Sequence, residues 1–212
     1  MKGTIKFISY SEAVEFLLPK HYSGRIPSIS WAFGWIIDGK LVAVCTFGKP
    51  ASNSLCEGVL GREYKEKVYE LNRLCRTEDL DLPLSQFVSA CLRRLSIYDL
   101  AIVSYSDTAM HHNGYIYQAT NFLYTGQTKQ RTDKYTEGNK HSRHYSNEKQ
   151  GDIRKIRSAK NRYVFFAVSS KVKRRKYLKL LKYPVLPYPK ETNQNYTLGV
   201  YQKPLLKSKA TA

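Results

Sequence analysis

No stretch of the 212 residues approaches the roughly 18–20 consecutive apolar positions that span a bilayer, so an integral membrane protein is not expected. The opening residues, Met1-Lys2-Gly3-Thr4, carry no apolar signal stretch, and a cytoplasmic protein is expected. None of the four cysteines (Cys45, Cys56, Cys75, Cys91) stands in a CxxC pair, and without an export signal they read as reduced, mostly core thiols. Acidic residues are scarce, 17 against 35 Lys and Arg, which leaves a net charge of +18. There is no internal repeat. What is present is a 42% hydrophobic share, enough to bury a core and to exclude wholesale disorder in a chain of one-domain length.

The charge is unevenly placed. Residues 1–128 hold 13 basic and 12 acidic side chains, whereas residues 129–190 hold 19 and 4. A near-neutral first part followed by a strongly basic one points to a polyanion engaged mainly by the second. Aromatics interleave with the basic residues (Tyr135, Tyr145, Tyr163, Phe165, Phe166, Tyr177, Tyr183, Tyr188). Bases stack on such rings, whereas a lipid surface needs only the charge, so nucleic acid is the favoured partner and no membrane is. The plainer reading is a solvated basic face with its aromatics in the core.

Lys6–Tyr10 reads as a short strand and Ser11–Leu18 as a helix capped by Ser11. Trp31–Ile37 and Leu41–Phe47 are β-prone runs joined by Asp38-Gly39, a hairpin signal. Residues 48–64, rich in Gly, Ser and Asn, read as a loop, and Lys67–Cys75 as a strand. After a loop over Asp79–Pro83, apolar positions 84, 87, 88, 91, 92 and 95 predict one face of a helix. Leu100–Tyr105 predicts a buried strand parallel to a neighbour, Tyr115–Asn121 a short helix, and Phe122–Gly126 the lead into the next strand. Arg162–Val168 reads as a further strand and Lys171–Leu181 as a basic amphipathic stretch, before a proline-rich close at 183–190. From residue 203 a mobile tail is expected. The fold class is therefore α/β: a mixed central sheet with helices on both faces, plus a basic β/α C-terminal extension. Ligands in open sheets gather beyond the C-terminal ends of strands, where Asp107 lies.

The densest polar cluster runs from Ser104 to Tyr124 and contains Tyr105, Asp107, His111, His112, Tyr117, Gln118, Asn121 and Tyr124. Two readings stand for Asp107: a cap on the following turn, or an orienting or proton-accepting carboxylate with His112 its nearest titratable partner. Adjacent histidines point in different directions, and no third ligand stands at a metal-binding spacing. His141 and His144, in the basic region, read as phosphate or solvent contacts. Ser85, in the first turn of the predicted 84–95 helix, is either a plain surface serine or a contact to a phosphate at a helix N-terminus.

Several runs together resemble one family. They are Glu70-Leu71-Asn72-Arg73-Leu74, Pro83-Leu84-Ser85, Ser104-Tyr105-Ser106-Asp107 and the segment His112 to Gly126, with Arg162-Tyr163-Val164-Phe165 and Pro187-Tyr188-Pro189-Lys190. The chain is similar to the Mom family of phage DNA-modification proteins, over roughly residues 30–190 and most specifically over 104–126. That resemblance implies a GNAT-like fold and a transferase converting adenine N6 in DNA to a carbamoylmethyl (acetamido) derivative, which protects phage DNA from host restriction. It makes Asp107 and Ser85 the functional carboxylate and hydroxyl, with Trp31 or Trp35 as a functional aromatic. Acetyl-CoA or another acyl or glycyl donor is the implied cosubstrate, although the glycine-rich loop by which GNAT enzymes cradle the CoA pyrophosphate is absent. The implied division is a catalytic core over 1–128, a basic part over 129–190 completing the same domain, and a tail over 191–212. Encoded by a phage, the protein would work in the host cytoplasm.

Adenine N6 is a poor nucleophile, so such an enzyme must extrude the base, orient the amine and remove a proton. Tyr105, Tyr117 and Tyr124 can stack on a flipped base or fill the core. Asn121 or Gln118 can pair with the adenine edge, and Ser104 completes the substrate-binding set. Asp107 would accept the N6 proton directly or through His112. Arg154, Lys155, Arg157, Lys173, Arg174, Arg175 and Lys176 would hold duplex phosphates. Two other functions remain open: a GNAT-type acyltransferase acting on RNA or protein, and a non-catalytic nucleic-acid-binding protein.

Overall fold

Positive φ angles at Asp38 (48°) and Gly39 (74°) close a tight hairpin between β2 (Trp31–Ile37) and β3 (Lys40–Gly48), as the Asp-Gly pair predicts. Around this hairpin the computed structural model describes residues 3–77, 83–135, 153–190, 199–200, 203 and 205–208. His141, His144, Tyr145 and most of the expected loop at 79–83 and tail at 191–212 lie outside the described residues.

A seven-stranded sheet has the order β1-β2-β3-β4-β5-β9-β6. The strands not yet placed are β1 (Thr4–Phe7), β4 (Val68–Arg76), β5 (Leu100–Asp107), β6 (Leu123–Gln127) and β9 (Lys160–Ala167). A second sheet, in the order β10-β8-β7, joins β7 (Arg131–Lys134), β8 (Ile153–Arg157) and β10 (Leu206–Ser208). Among the described residues β4 and β5 pair in parallel and the other pairings are antiparallel.

Helix α3 (Leu84–Leu95) buries Phe87, Val88, Cys91, Leu92 and Leu95 against one face of the large sheet, the face its spacing predicts. Burying each large side chain of that stripe stabilises the fold by about 1.5–3 kcal/mol. The short α4 (Tyr115–Ala119) lies on the same face, with Ile116 and Tyr117 against that core. Alternate strand residues turn the other way: Val68, Ala101, Val103, Val164 and Phe166 meet α2 (Asn53–Leu60) and Tyr177 of α5 (Lys171–Leu180), while Ala32, Val44 and Cys75 meet α1 (Tyr10–Leu17). The expected mixed α/β sheet with helices on both faces is what forms. Its edge strand β6 is covered by the proline-rich strap, where Leu186 N–H donates to Tyr124 O (2.9 Å) and Tyr188 Oη to Phe122 O (2.7 Å).

Three expectations are corrected. The cap of α1 is Ser9, whose Oγ accepts from Glu12 N–H while the Glu12 carboxylate accepts from Ser9 N–H (2.7 Å), so the helix begins at Tyr10 and β1 ends at Phe7. Residues 48–64 are not a loop: Ser52 caps α2, and a 3₁₀ turn spans Arg62–Lys67. The polar composition hid an apolar stripe of Leu55, Cys56, Val59 and Leu60, and Gly58 is small because the Tyr183 hydroxyl would lie 2.7 Å from a Cβ there. The three-stranded sheet was not anticipated, because β7 and β8 read as charged rather than β-prone.

A wedge-shaped candidate active site

Strands β4 and β5 pair only at Val68, Tyr69 and Glu70, opposite Ala101, Ile102 and Val103. Past that point β4 stays with β3 and β5 stays with β9, so the sheet opens into a wedge. Buried Ser104 closes its vertex by donating Oγ–H to Leu71 O (2.8 Å). The wedge continues into a cleft of about 2110 Å³, whose walls include the segment 21–28, Ser85 at the start of α3, and residues of the three-stranded sheet.

Glu70 is the last residue of β4 paired with β5 and lines the cleft. Burial pushes its carboxyl up to about 7, with Arg73 and Lys160 offsetting only part of the effect. Asp107, at the end of β5, is in a different state. Burial alone would raise its carboxyl, but Lys160 Nζ at 3.1 Å, the Ser158 hydroxyl at 2.5 Å and the Ala109 N–H at 3.0 Å hold it below the usual carboxylate range. It is a fixed anion that both caps the following turn and ties residues 158–160 to β5.

Two histidines and three tyrosines of the cleft stay neutral near pH 7. Burial pulls His21 down to about 3, with Arg73, His112 and Lys160 acting in the same direction. Burial also lowers His112, against the pull of Asp107. The His112 backbone N–H donates to Asp107 O (3.2 Å), and its ring meets Tyr22 edge-on at 5.9 Å. Burial lifts the Tyr22 phenol to about 12, and raises Tyr105 and Tyr117 well above their ordinary range. These phenols are hydrogen-bond donors and stacking surfaces, not bases.

The Glu70-Leu71-Asn72-Arg73 run fastens the wall that carries His21 and Tyr22. Asn72 Nδ2 donates to Ser28 O (2.8 Å) and its Oδ1 accepts from Thr46 Oγ1 (2.7 Å). The Arg73 guanidinium donates to Arg25 O (3.1 Å) and Asn72 O (2.6 Å). Sequence reasoning noted this run without placing it in the site, and it missed His21, Tyr22, Lys160 and Ser158. The signal for Glu70 and Arg73 was present: charged residues in a strand that otherwise reads as core.

Of the expected catalytic residues, Asp107, Ser85, His112 and Tyr105 all line the cleft. Of the expected substrate-binding set only Tyr117 does. Ser104 holds the vertex, and Gln118 Nε2 donates to Asn113 O (3.1 Å). Asn121 adopts a left-handed φ of 60° in the turn after α4, and Tyr124 Oη donates to Asn161 Oδ1 (3.3 Å). Trp31 packs between Tyr69 and Tyr98, and Trp35 against Phe87. The basic residues divide. Lys155 and Arg157 line the cleft, whereas Arg154, Lys173, Arg174, Arg175 and Lys176 do not. Lys173 pairs with Asp99, Lys176 lies over the Tyr64 ring, and Arg174 is 5.9 Å from the Phe165 ring centroid.

Among the described residues no group of three or more His, Cys, Asp or Glu side chains is placed to hold a metal, and no helix is long and apolar enough to cross a membrane. A phosphate-bearing donor finds suitable groups at α3: its cap, Pro83, offers no side chain to the first-turn N–H groups, and Ser85 adds a hydroxyl at the cleft.

No curated protein sequence matches the chain. Solved structures similar to it include a Bacillus subtilis acetyltransferase in complex with CoA (14% identity, 78% of this chain and 99% of that one, TM-score 0.46). Ard1 from Thermoplasma volcanium is similar at 11% identity, over 80% of this chain and all of that one (100%), with a TM-score of 0.48. The ribosomal-protein-S18-alanine N-acetyltransferase of Escherichia coli is similar at 9% identity, over 80% and 96% of the two chains, with a TM-score of 0.46. The model of the Mom protein family matches residues 2–190, almost the whole length, and the chain therefore belongs to the Mom protein family.

Proposed function

We propose that this protein is a transferase that converts adenine N6 in DNA to its carbamoylmethyl derivative and so shields phage DNA from restriction. Membership of the Mom family supports the reaction, and one observation ties it to this cleft: Glu70, at the vertex of the wedge, titrates near 7 beside phenols that remain protonated. A base with that affinity for protons is matched to removing the N6 proton as the new N–C bond forms. Tyr22 and Tyr105 supply faces and hydroxyl donors for an extruded adenine. Asp107 fixes Lys160 beside Glu70, so its role is to set the charge of the site rather than to take the proton. Ser85 and the α3 N-terminus would hold the phosphates of the donor, which supplies the transferred carbon unit. Lys155 and Arg157, which line the cleft, would meet the DNA backbone.

The test is nucleoside mass spectrometry on plasmid DNA from cells expressing the wild type, Glu70→Gln or Asp107→Asn. A modified deoxyadenosine with the wild type and a large loss in both variants is expected. Unmodified DNA with soluble wild-type protein in a donor-competent host overturns the reading, and a modified nucleoside in tRNA instead would redirect it to RNA.

A further inference from the structure

The lining of the cleft gathers cations from the irregular 21–28 segment and from one strand. Arg25 comes from the segment pinned by Arg73, and Lys155 and Arg157 from β8. Arg157 Nε is matched by Asp133 at 2.8 Å. The side chains of Arg25 and Lys155 make no hydrogen bond or ion pair among the described residues, although both are partly buried. Each is felt by the others. Burial, then Arg157, lowers the Arg25 guanidinium, and burial, Arg157, Arg25 and Lys160 lower the Lys155 ammonium, with Asp133 opposing the shift in both. Arg73 stands behind them with a buried Nε that has no partner. Concentrating like charges in a part-buried wall costs free energy, and that cost is recovered when an anion arrives. Among the described residues neither side chain is held to another element by a hydrogen bond or ion pair.

We propose that Arg25, Lys155 and Arg157 form a phosphate-binding subsite inside the cleft that Glu70 also lines. Two planar guanidinium groups, one from the 21–28 segment and one from β8, with the Lys155 ammonium close enough to feel both, suit the oxygens of a phosphodiester or diphosphate. The phosphate can come from the nucleic-acid backbone beside the reacting nucleotide or from a nucleotide-bearing donor. The subsite rests on the proposed reaction only in the identity of that nucleic acid.

The experiment pairs Arg25→Gln/Lys155→Gln with a charge-matched control, Lys6→Gln/Lys40→Gln, on β1 and the β2–β3 turn. Thermal melts confirm that both fold. Fluorescence polarisation with a mixed-sequence DNA duplex is run across a salt series, and calorimetry is run with coenzyme A and with inorganic pyrophosphate. Loss of about tenfold or more in DNA affinity beyond the control, with the salt slope reduced by about 1–2, places the backbone phosphate in the subsite. Loss of coenzyme A and pyrophosphate binding with DNA affinity unchanged assigns it to the donor. Binding of all three equal to the control overturns the proposal. These readouts need no turnover, so unmodified DNA from active-site-intact protein would end the adenine reading while leaving the subsite to be judged on binding alone.

Discussion

Replacing Glu70 by Gln removes the one carboxyl of the wedge that changes charge near neutrality while keeping its shape. With its proton affinity near pH 7, about one-tenth of the wild-type protein carries the carboxylate at pH 6 and about nine-tenths at pH 8. The modification rate should therefore rise roughly tenfold over that interval, with a slope approaching tenfold per unit on the acid side. In Glu70→Gln the rate should fall by about 10²–10⁴ and lose that dependence. The assay follows modified deoxyadenosine by mass spectrometry in cleared extract of donor-competent cells supplied with plasmid, buffered from pH 5.5 to 8.5. Carbon-13 NMR of the Glu side chains, with the variant identifying the Glu70 signal, reads the titration directly. A Glu70 midpoint near the ordinary value of 4.5, or a variant that retains the wild-type rate and profile, would refute the assignment.

Neutralising Asp107 with Asn should leave DNA binding within about twofold and abolish most modification. It should also lower the Glu70 midpoint, because Lys160 loses its counter-charge at 3.1 Å and acts more strongly on Glu70; NMR and gel-shift measurements check both. His21 is neutral in the folded protein down to about pH 3 but gains its proton near 6.5 when unfolded. Its contribution is intact above pH 6.5 and is lost as pH falls, by about 1.4 kcal/mol per unit and so about 2 kcal/mol at pH 5. Urea denaturation of wild type and His21→Gln between pH 7.5 and 5 should show the variant losing less stability on acidification. Arg73→Ala should cost about 2–3 kcal/mol by freeing two backbone carbonyls, read by urea denaturation, and should raise protease cleavage within residues 21–28. Gly114→Ala should cost about 2 kcal/mol or more by denaturation, because φ is +80° and the new Cβ would lie 2.5 Å from the Tyr163 ring.

Much of the fold was legible because its signals are local. The apolar stripe of α3, the Asp-Gly turn and the continuous apolar run of β5 each declare themselves within about a dozen residues. The errors are local too, and each has a competing signal. Ser11 has the right chemistry for a cap, but Ser9 lies three residues before Glu12 and completes the reciprocal bond. Residues 53–60 carry the small and polar composition of a loop, yet their four apolar side chains recur at helical spacing. Charged strands such as β8 give almost no periodic signal, since pairing with β7 and β10 rather than a buried face holds them.

The site is a different case, because its chemistry depends on where two strands part company. The segment from Ser104 to Tyr124 looked like the heart of the site for its density of polar groups. In the structure half of that density is structural: Ser104 bonds Leu71 O, Gln118 bonds Asn113 O and Asn121 relieves a left-handed turn. The groups that converge on the wedge come instead from β4, β5, β9 and the 21–28 segment, nearly 140 positions apart at the extremes (His21 to Lys160). The same carboxylate chemistry at Glu70 and Asp107 is driven in opposite directions by surroundings that no spacing rule reveals. One acid stands at the vertex with its burial only partly offset by Arg73 and Lys160, and the other is locked by Lys160, Ser158 and a backbone N–H. That divergence separates the proposed base from the fixed anion, and it arises where β4 parts from β5, just past Glu70.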